Sequence, residues 1–203
     1  MLFLRVSVDG IQVAAVSTES LDVLSVNLSG TKIDEEFSCL GVSGGRYPSD
    51  GVSTHLVWLS ELVVQPGQRV RVEVAASGST SHAGKTIDEL FPEDKEDGED
   101  SEGPEDSPLS RDAVVDGIAA RLQVRTGYCL GVESSSGARC AANLSTEEHG
   151  FGVTFLWNSV RPDRVSASLH TYSLEQLRAH GDFTYHWREH LRVGDWAEVK
   201  VDA

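Results

Sequence analysis

The chain opens with two short runs in which apolar residues occupy every second position. The first run covers Leu2 to Val8 and the second begins at Ile11, with Asp9-Gly10 between them. A period of two is typical of a strand that buries one face. Asp-Gly between two such runs is a strong short-range signal for a hairpin turn. The sequence therefore predicts that the chain begins with a β-hairpin.

Later segments repeat this alternation, and one segment departs from it. Further strand-like runs cover residues 24–29, 55–74, 152–157 and 164–170. By contrast, Ser173 and Gln176 have the spacing of a helical capping box, and Gly181 follows as a helix stop. We therefore expect a mainly β (β-rich α+β) fold of antiparallel hairpins with one or two short helices, one of them near residues 173–180.

The two ends of the chain resemble each other and predict an internal duplication. Trp58 matches Trp187 and Gly67 matches Gly194, and each glycine is followed by an alternating apolar run. At the front, residues 24–29 (LSVNLS) match residues 140–145 (CAANLS), and the Asp9-Gly10 turn matches Thr126-Gly127. A period this long indicates a duplicated domain rather than a solenoid. The alternative is that two β-rich lobes share turn residues by composition alone.

These matches divide the chain into two similar small antiparallel β-sheet lobes. The N-terminal β lobe covers residues 1–76 and the C-terminal β lobe covers residues 111–203. Between them, residues 77–110 are predicted to form an acidic linker or loop that contains Gly, Ser and Pro. The short helix of the second lobe has no counterpart in the first, so it is interpreted as an insertion.

Most of the negative charge lies in that middle segment. The whole chain has a net charge of -15, and residues 88–106 contain 11 acidic residues and one lysine. This charge argues against binding to nucleic acid phosphates or to an anionic membrane surface. An acidic protein can instead favour a basic protein partner, and we expect its contacts to include Glu93, Asp94, Glu96 and Asp97. A calcium loop does not fit, because Lys95 stands where a ligand is needed.

The cysteines and the N-terminus predict a location rather than a chemistry. Cys39, Cys129 and Cys140 contain no C-x-x-C pair, so we expect reduced and mostly buried thiols and no cofactor. A disulfide between Cys129 and Cys140 is the alternative. The N-terminus lacks a basic region before a long apolar run, and no apolar segment is long enough to span a membrane. The expected location is therefore the cytoplasm.

One string near the C-terminus matches a zinc-peptidase signature. His186, Glu189 and His190 form H-x-x-E-H, which binds zinc when it lies on a helix. The surrounding residues favour a strand, and Glu198 is the only downstream glutamate that could be a third ligand. A weaker metal alternative gathers His170, His180, His186 and His190. We expect no enzymatic activity and no catalytic residues.

The tryptophans suggest both a core and a surface. Trp58 and Trp187 occupy matched positions and are predicted to be core anchors. Trp196 falls on the opposite face from the buried positions of its strand. An outward tryptophan of this kind is either a contact between the lobes or a hot spot for a partner, and both interpretations stay open.

A resemblance adds a functional expectation. Residues 55–58 (HLVW), residues 66–72 (PGQRVRV) and residues 87–92 (IDELFP) resemble a group of short, uncharacterised bacterial proteins found near contact-dependent toxin systems. This resemblance implies an immunity or accessory role, in which the protein occludes a partner such as a toxin or effector. The alternative is a scaffold or accessory interaction protein without a toxin partner. A histidine–metal enzyme is the third and least favoured hypothesis.

Overall fold

The computed structural model describes residues 1–31, 38–49, 51–92, 111–120, 129–144, 148–179 and 181–202. In this part of the chain, twelve strands form two antiparallel sheets of six strands each, which confirms the predicted mainly β fold. Buried residues from both sheets belong to one hydrophobic cluster. The sheets therefore pack face to face around a single core, as in a β-sandwich.

Each half of the chain supplies six strands. The first half contains β1 (Phe3–Val8), β2 (Ile11–Ser17), β3 (Val23–Thr31), β4 (Cys39–Arg46), β5 (Thr54–Val63) and β6 (Arg69–Ala75). The second half contains β7 (Cys129–Ser134), β8 (Arg139–Asn143), β9 (Gly150–Asn158), β10 (Val165–Tyr172), β11 (Thr184–Leu191) and β12 (Trp196–Asp202). Sheet A has the order β2-β1-β6-β12-β7-β8, and sheet B has the order β11-β10-β9-β3-β4-β5.

The strand order of the second half repeats that of the first. Each strand from β1 to β6 corresponds to the strand six places later in the chain, so that β1 corresponds to β7 and β6 to β12. When every strand is replaced by its counterpart, the strand order of each sheet is reversed. The halves meet at β6–β12 in sheet A and at β3–β9 in sheet B, so each half contributes three strands to each sheet. This order supports the predicted duplication. It also gives the segments 1–76 and 111–203 a shared core.

The predicted match at the front of the two halves is wrong. Residues 140–143 belong to β8, which occupies the place of β2, whereas residues 24–29 belong to β3, whose counterpart is β9. The match depended on a shared Asn-Leu-Ser string, but the true counterparts share only their alternation. Thr126-Gly127, predicted as the matching turn, lies outside the described residues. The turn between β7 and β8 contains Gly137 with a φ of 84°.

The match at the rear of the halves agrees with the structure. Gly67 and Gly194 precede β6 and β12, with φ values of 89° and 94°, a left-handed conformation that glycine adopts without a steric cost. The apolar residues that follow in each strand are buried. Trp58 and Trp187 are 9% and 8% exposed, which confirms that both are core residues.

Three helices lie in the described part of the chain: α1 (Ile87–Leu90), α2 (Arg111–Ala120) and α3 (Leu174–Arg178). The predicted helix near residues 173–180 is α3, and its capping box is present. The Ser173 hydroxyl accepts a hydrogen bond from the backbone amide of Gln176 at 3.1 Å. The side-chain oxygen of Gln176 accepts from the backbone amide of Ser173 at 2.8 Å. Helix α3 connects β10 and β11, the two outermost strands of sheet B in the second half. None of the described helices has the length and hydrophobicity of a membrane-spanning segment.

A segment after β6, residues 77–86, ties the two sheets together in the first half, and we call it the strap. The Ser81 amide donates to the Ala15 carbonyl of β2 at 2.9 Å. Further along, Lys85 and Val57 of β5 exchange two backbone hydrogen bonds of 2.9 and 2.8 Å. Because β2 and β5 are the outer strands of sheets A and B, the strap closes this side of the sandwich.

The expectation that the cysteines are mostly buried is wrong. Cys129 is exposed, whereas Cys39 and Cys140 are half-buried, and none of the three forms a disulfide. Cys129 begins β7 and pairs with Asn143, whereas Cys140 pairs with Val132. The alternative disulfide between Cys129 and Cys140 is therefore not formed. Positions at strand ends and on outer strands leave these small side chains accessible.

Candidate functional site

The outer face of sheet A carries charges that are largely paired with each other. Its ion pairs include Arg5–Glu73 at 3.4 Å, Arg69–Glu198 at 2.7 Å and Arg139–Glu133 at 2.9 Å. Exposed pairs of this kind contribute little to stability, because solvent screens their charges. They also leave few unsatisfied groups for a partner, which makes this face an unfavourable docking surface.

The outer face of sheet B in the second half is different, because aromatic side chains form a continuous row there. Phe183 stacks on His170 with ring centroids 4.8 Å apart and lies 5.8 Å from Tyr172. Tyr185 lies 5.5 Å from His170, and the Arg188 guanidinium lies 3.5 Å from the centre of the Tyr185 ring. We call these five residues the aromatic row. Phe183 and Tyr185 are 37% and 43% exposed, so large aromatic surfaces face solvent.

Two glycines on β9 provide the space for the row. His170 is paired with Gly152 and Tyr172 with Gly150 across the β9–β10 ladder. A Cβ at Gly152 would lie 2.6 Å from His170 Cε1, and a Cβ at Gly150 would clash with the Tyr172 ring. The two rings therefore lie flat over strand β9. A cross-strand aromatic also covers a glycine backbone that would otherwise be exposed.

His170 is a part-buried member of the row. Burial lowers the pKa of its imidazole, and the neighbouring His186 lowers this pKa further. Its Nδ1 is buried and has no hydrogen-bond partner in the described part of the chain. The row therefore contains a neutral ring that packs as an aromatic at neutral pH.

Behind the row, a buried polar network holds β11 in place. The Thr171 hydroxyl, which is 0% exposed, donates to the Glu148 carboxylate and lies 2.8 Å from His186 Nε2. Since the hydroxyl donates to Glu148, its oxygen accepts from a protonated Nε2. His186 is the extra residue of a β-bulge, because Leu169 pairs with Trp187 and the next residue, His170, pairs with Tyr185. These contacts join β10 to His186 of β11 and to Glu148, just before β9.

The H-x-x-E-H string lies on strand β11, as expected, and not on a helix. Four strand residues span about 13 Å, which places His186 and His190 too far apart to share one ion. His190 is exposed, and its Nδ1 lies 3.4 Å from the Ser166 hydroxyl. His180 lies outside the described residues. Within the described ranges, no group of three or more His, Cys, Asp or Glu residues could hold a metal ion.

Strand β11 is also an open edge of sheet B. It pairs with β10 on one side only, and the residues that the structure describes supply no strand on its other side. A cavity of about 660 Å³ lies beside it, lined by Asp182, Phe183, Tyr185, His186, Trp187 and Arg188. A second cavity of about 420 Å³ lies over β10 and β11, lined by residues that include Ser166, Tyr185 and His190. An exposed edge with unpaired backbone groups is a template for pairing with another chain.

Comparisons with protein-family models, curated proteins and solved structures give no match to this chain. Its function is therefore inferred from its own geometry.

The residues predicted as partner contacts do not lie in the aromatic row. Trp196 faces outward on sheet A as predicted, half-buried, with the Arg71 guanidinium 4.0 Å from the centre of its ring. It pairs with Glu73 across the β6–β12 seam, so it forms a contact between the two halves. Glu93, Asp94, Glu96 and Asp97 lie outside the described residues. Trp196 therefore lies where β6 and β12 pair. The contacts of the four acidic residues remain a prediction.

The aromatic row was missed by reasoning from sequence alone. Its signal was present, because His170 and Tyr172 alternate on one strand, and Phe183, just before the next strand, alternates with Tyr185 on that strand. Gly150 and Gly152 show the same period on a third strand. Strand pairing was needed to show that these three alternating pairs face each other.

Proposed function

We propose that this chain is a non-enzymatic protein-binding protein that acts by covering part of a protein partner. The observation that carries this proposal is the aromatic row, which includes Arg188 and covers the outer face of β10 and of the open edge strand β11. Tyrosine, phenylalanine and arginine are enriched in the cores of protein interfaces and at hot spots. The paired charges on sheet A offer a partner no comparable surface.

The rigidity of the row favours binding. Phe183 and His170 stack with an angle of 10° between their rings, and His170 rests on Gly152. Side chains that are already ordered lose little conformational entropy when a partner covers them. The row therefore has the properties of a pre-organised binding surface.

We propose that the partner is occluded in the manner of an immunity or inhibitor-like protein. The resemblance of residues 55–58, 66–72 and 87–92 to immunity-type proteins supports this role. The acidic middle segment would add electrostatic steering toward a basic toxin or effector. Glu93, Asp94, Glu96 and Asp97 are the proposed steering contacts, and Trp196 is a secondary candidate for direct contact.

The alternative is a scaffold in which the two halves present equivalent docking faces. The repeated strand order favours this alternative. The aromatic row argues against it, because the first half places Ser43, Gly45 and Val57 on strands β4 and β5, where the second half has its aromatic residues. Two equivalent faces would require similar side chains in both halves.

A pull-down from the native host with purified full-length protein tests the proposal. The double variant Tyr185→Ala/Arg188→Ala should lose the captured partner. The matched control, Tyr47→Ala/Arg46→Ala, removes another exposed tyrosine and a neighbouring arginine from sheet B and should retain it. Equal capture by both variants would contradict the proposal.

A second comparison isolates the acidic steering. Deletion of residues 93–106 removes the proposed contacts and leaves α1 with its Thr86 capping box intact. Steering predicts slower association and a weaker dependence of the association rate on salt, with the dissociation rate nearly unchanged. If the deletion changes neither the rate nor its salt dependence, the acidic segment has no role in binding.

A further inference from the structure

The two halves of the sandwich differ on one side, where the first half is closed and the second is open. In the first half, the strap fills the side between the edges β2 and β5 through Ser81 and Lys85. In the second half, β8 and β11 occupy the corresponding edges. The nearest link there is the Cys140 thiol, which donates to the His186 carbonyl at 3.4 Å. Among the described residues, no strap-like segment lies between β8 and β11.

The strap shows what chemistry fits such a side. Gly84 passes over Trp58, and a Cβ at this position would lie 2.9 Å from Trp58 Cε2. The neighbouring Lys85 pairs with Val57 in antiparallel orientation. The occupant of this side is thus an extended segment with a small residue at the point where it crosses the buried tryptophan of the edge strand.

The second half has the corresponding tryptophan, and no described segment crosses it. Trp187 is buried on β11, as Trp58 is on β5. The cavity of about 660 Å³ lies beside Trp187 and extends to Arg188. Helix α2 packs against α3, so it is not a substitute for the strap.

Charge defines the occupant further. Arg188 is exposed and forms no ion pair within the described residues, and its guanidinium contacts the Tyr185 ring. If an occupant paired with β11 in the register in which the strap pairs with β5, its small residue would lie opposite Trp187. The residue before it would then lie opposite Arg188. A carboxylate at that position would pair with the guanidinium across the strands.

We propose that the open side between β8 and β11 binds an extended acidic peptide segment of a protein partner, which adds to β11 as an antiparallel strand. Its small residue would cross Trp187, and its preceding acidic residue would contact Arg188. This mode is β-augmentation, in which main-chain hydrogen bonds give affinity and side-chain positions give specificity. The inference rests on the proposed protein-binding function and specifies the segment that is recognised.

The strap sequence supplies the probe. A capped, fluorescently labelled peptide of residues 81–90, SHAGKTIDEL, should bind the full-length protein in an anisotropy titration. The peptide with Ala83→Glu should bind up to about fivefold more tightly than the peptide with Ala83→Lys, since it can pair with Arg188. The peptide with Gly84→Val should bind about tenfold more weakly, because its side chain would meet Trp187.

Protein variants make the charge test reciprocal. Arg188→Glu should invert the preference between the Glu and Lys peptides, whereas Arg46→Glu, a matched charge reversal on β4, should leave it unchanged. An absence of peptide binding, or the same peptide preference in both variants, would overturn the inference. If the peptide tests fail but the Tyr185→Ala/Arg188→Ala variant loses the partner in the pull-down, the inference is wrong and the proposed function still holds. If that variant retains the partner, both the inference and the proposed function are wrong.

Discussion

At the residue scale, the aromatic row depends on small side chains beneath it. A methyl group at Gly152 would lie 2.6 Å from the His170 ring and would force the ring off strand β9. Inserting a methyl into a packed site typically costs about 1–3 kcal/mol. The row is therefore defined as much by its two glycines as by its rings.

Gly152→Ala should lower the free energy of unfolding by about 1–3 kcal/mol and disturb the stacking of His170 on Phe183. Gly131→Ala on β7 is the matched control, since its nearest contact would be Lys200 Cβ at 4.0 Å. Urea unfolding of both variants measures the difference. Similar stability of the two variants would show that the ring does not rest on Gly152.

The lowered pKa of His170 predicts how stability depends on pH. The unfolded imidazole has a pKa near 6.5, and the folded pKa lies below this value. As the pH falls below about 6.5, the unfolded state therefore binds more protons than the folded state, and the contribution of His170 to stability is lost. We expect His170→Phe, which keeps an aromatic ring, to weaken the loss of stability between about pH 7.5 and 5.5. Equal losses in the wild type and the variant, measured by urea unfolding, would contradict this assignment.

At the scale of elements, the helix α3 could be predicted in detail, because its signal is local. Ser173 and Gln176 lie three residues apart, and the capping box follows from that spacing. The strap could not be predicted in this way, since Ser81 and Lys85 bond to residues 66 and 28 positions earlier in the chain. Its Ser- and Gly-rich composition was interpreted as part of a linker. Tertiary hydrogen bonds, which composition does not encode, hold it against the sheets.

Loss of the α3 cap should lower the free energy of global unfolding. Ser173→Ala should cost about 1 kcal/mol, because it leaves the Gln176 amide without its acceptor at the start of a helix that buries Leu174. Thr86→Ala removes the equivalent cap from α1, which buries no residue, and should cost less in global unfolding. Thermal unfolding of the two variants compares them. A larger effect for Thr86→Ala would show that α3 is not coupled to the core.

At the scale of the whole molecule, the sequence predicted two similar units but not how they combine. The rear match was correct because Gly67 and Gly194 both have a positive φ that favours glycine. The front match failed because a short shared string outweighed strand pairing, which depends on contacts between residues far apart. The pairing of β3 with β9 and of β6 with β12 merges the halves into one sandwich.

The shared sheets predict that neither half is stable alone. A fragment of residues 1–92 would expose the β3 and β6 edges and the core residues that face the second half. We expect the full chain to unfold in one cooperative transition and the fragment to be largely unfolded by circular dichroism. A fragment with native-like β content and its own cooperative melting would contradict a single shared core.

Strand β11 and the aromatic row are proposed to contact a protein partner. Hydrogen–deuterium exchange of the full chain, free and bound to the partner captured from its native host, tests this contact most directly. Binding should slow amide exchange in β11 (Thr184–Leu191) and leave exchange in β5 (Thr54–Val63) unchanged, since the strap already covers part of that edge. If binding slows exchange in other elements and leaves exchange in β11 unchanged, the proposed contact is wrong.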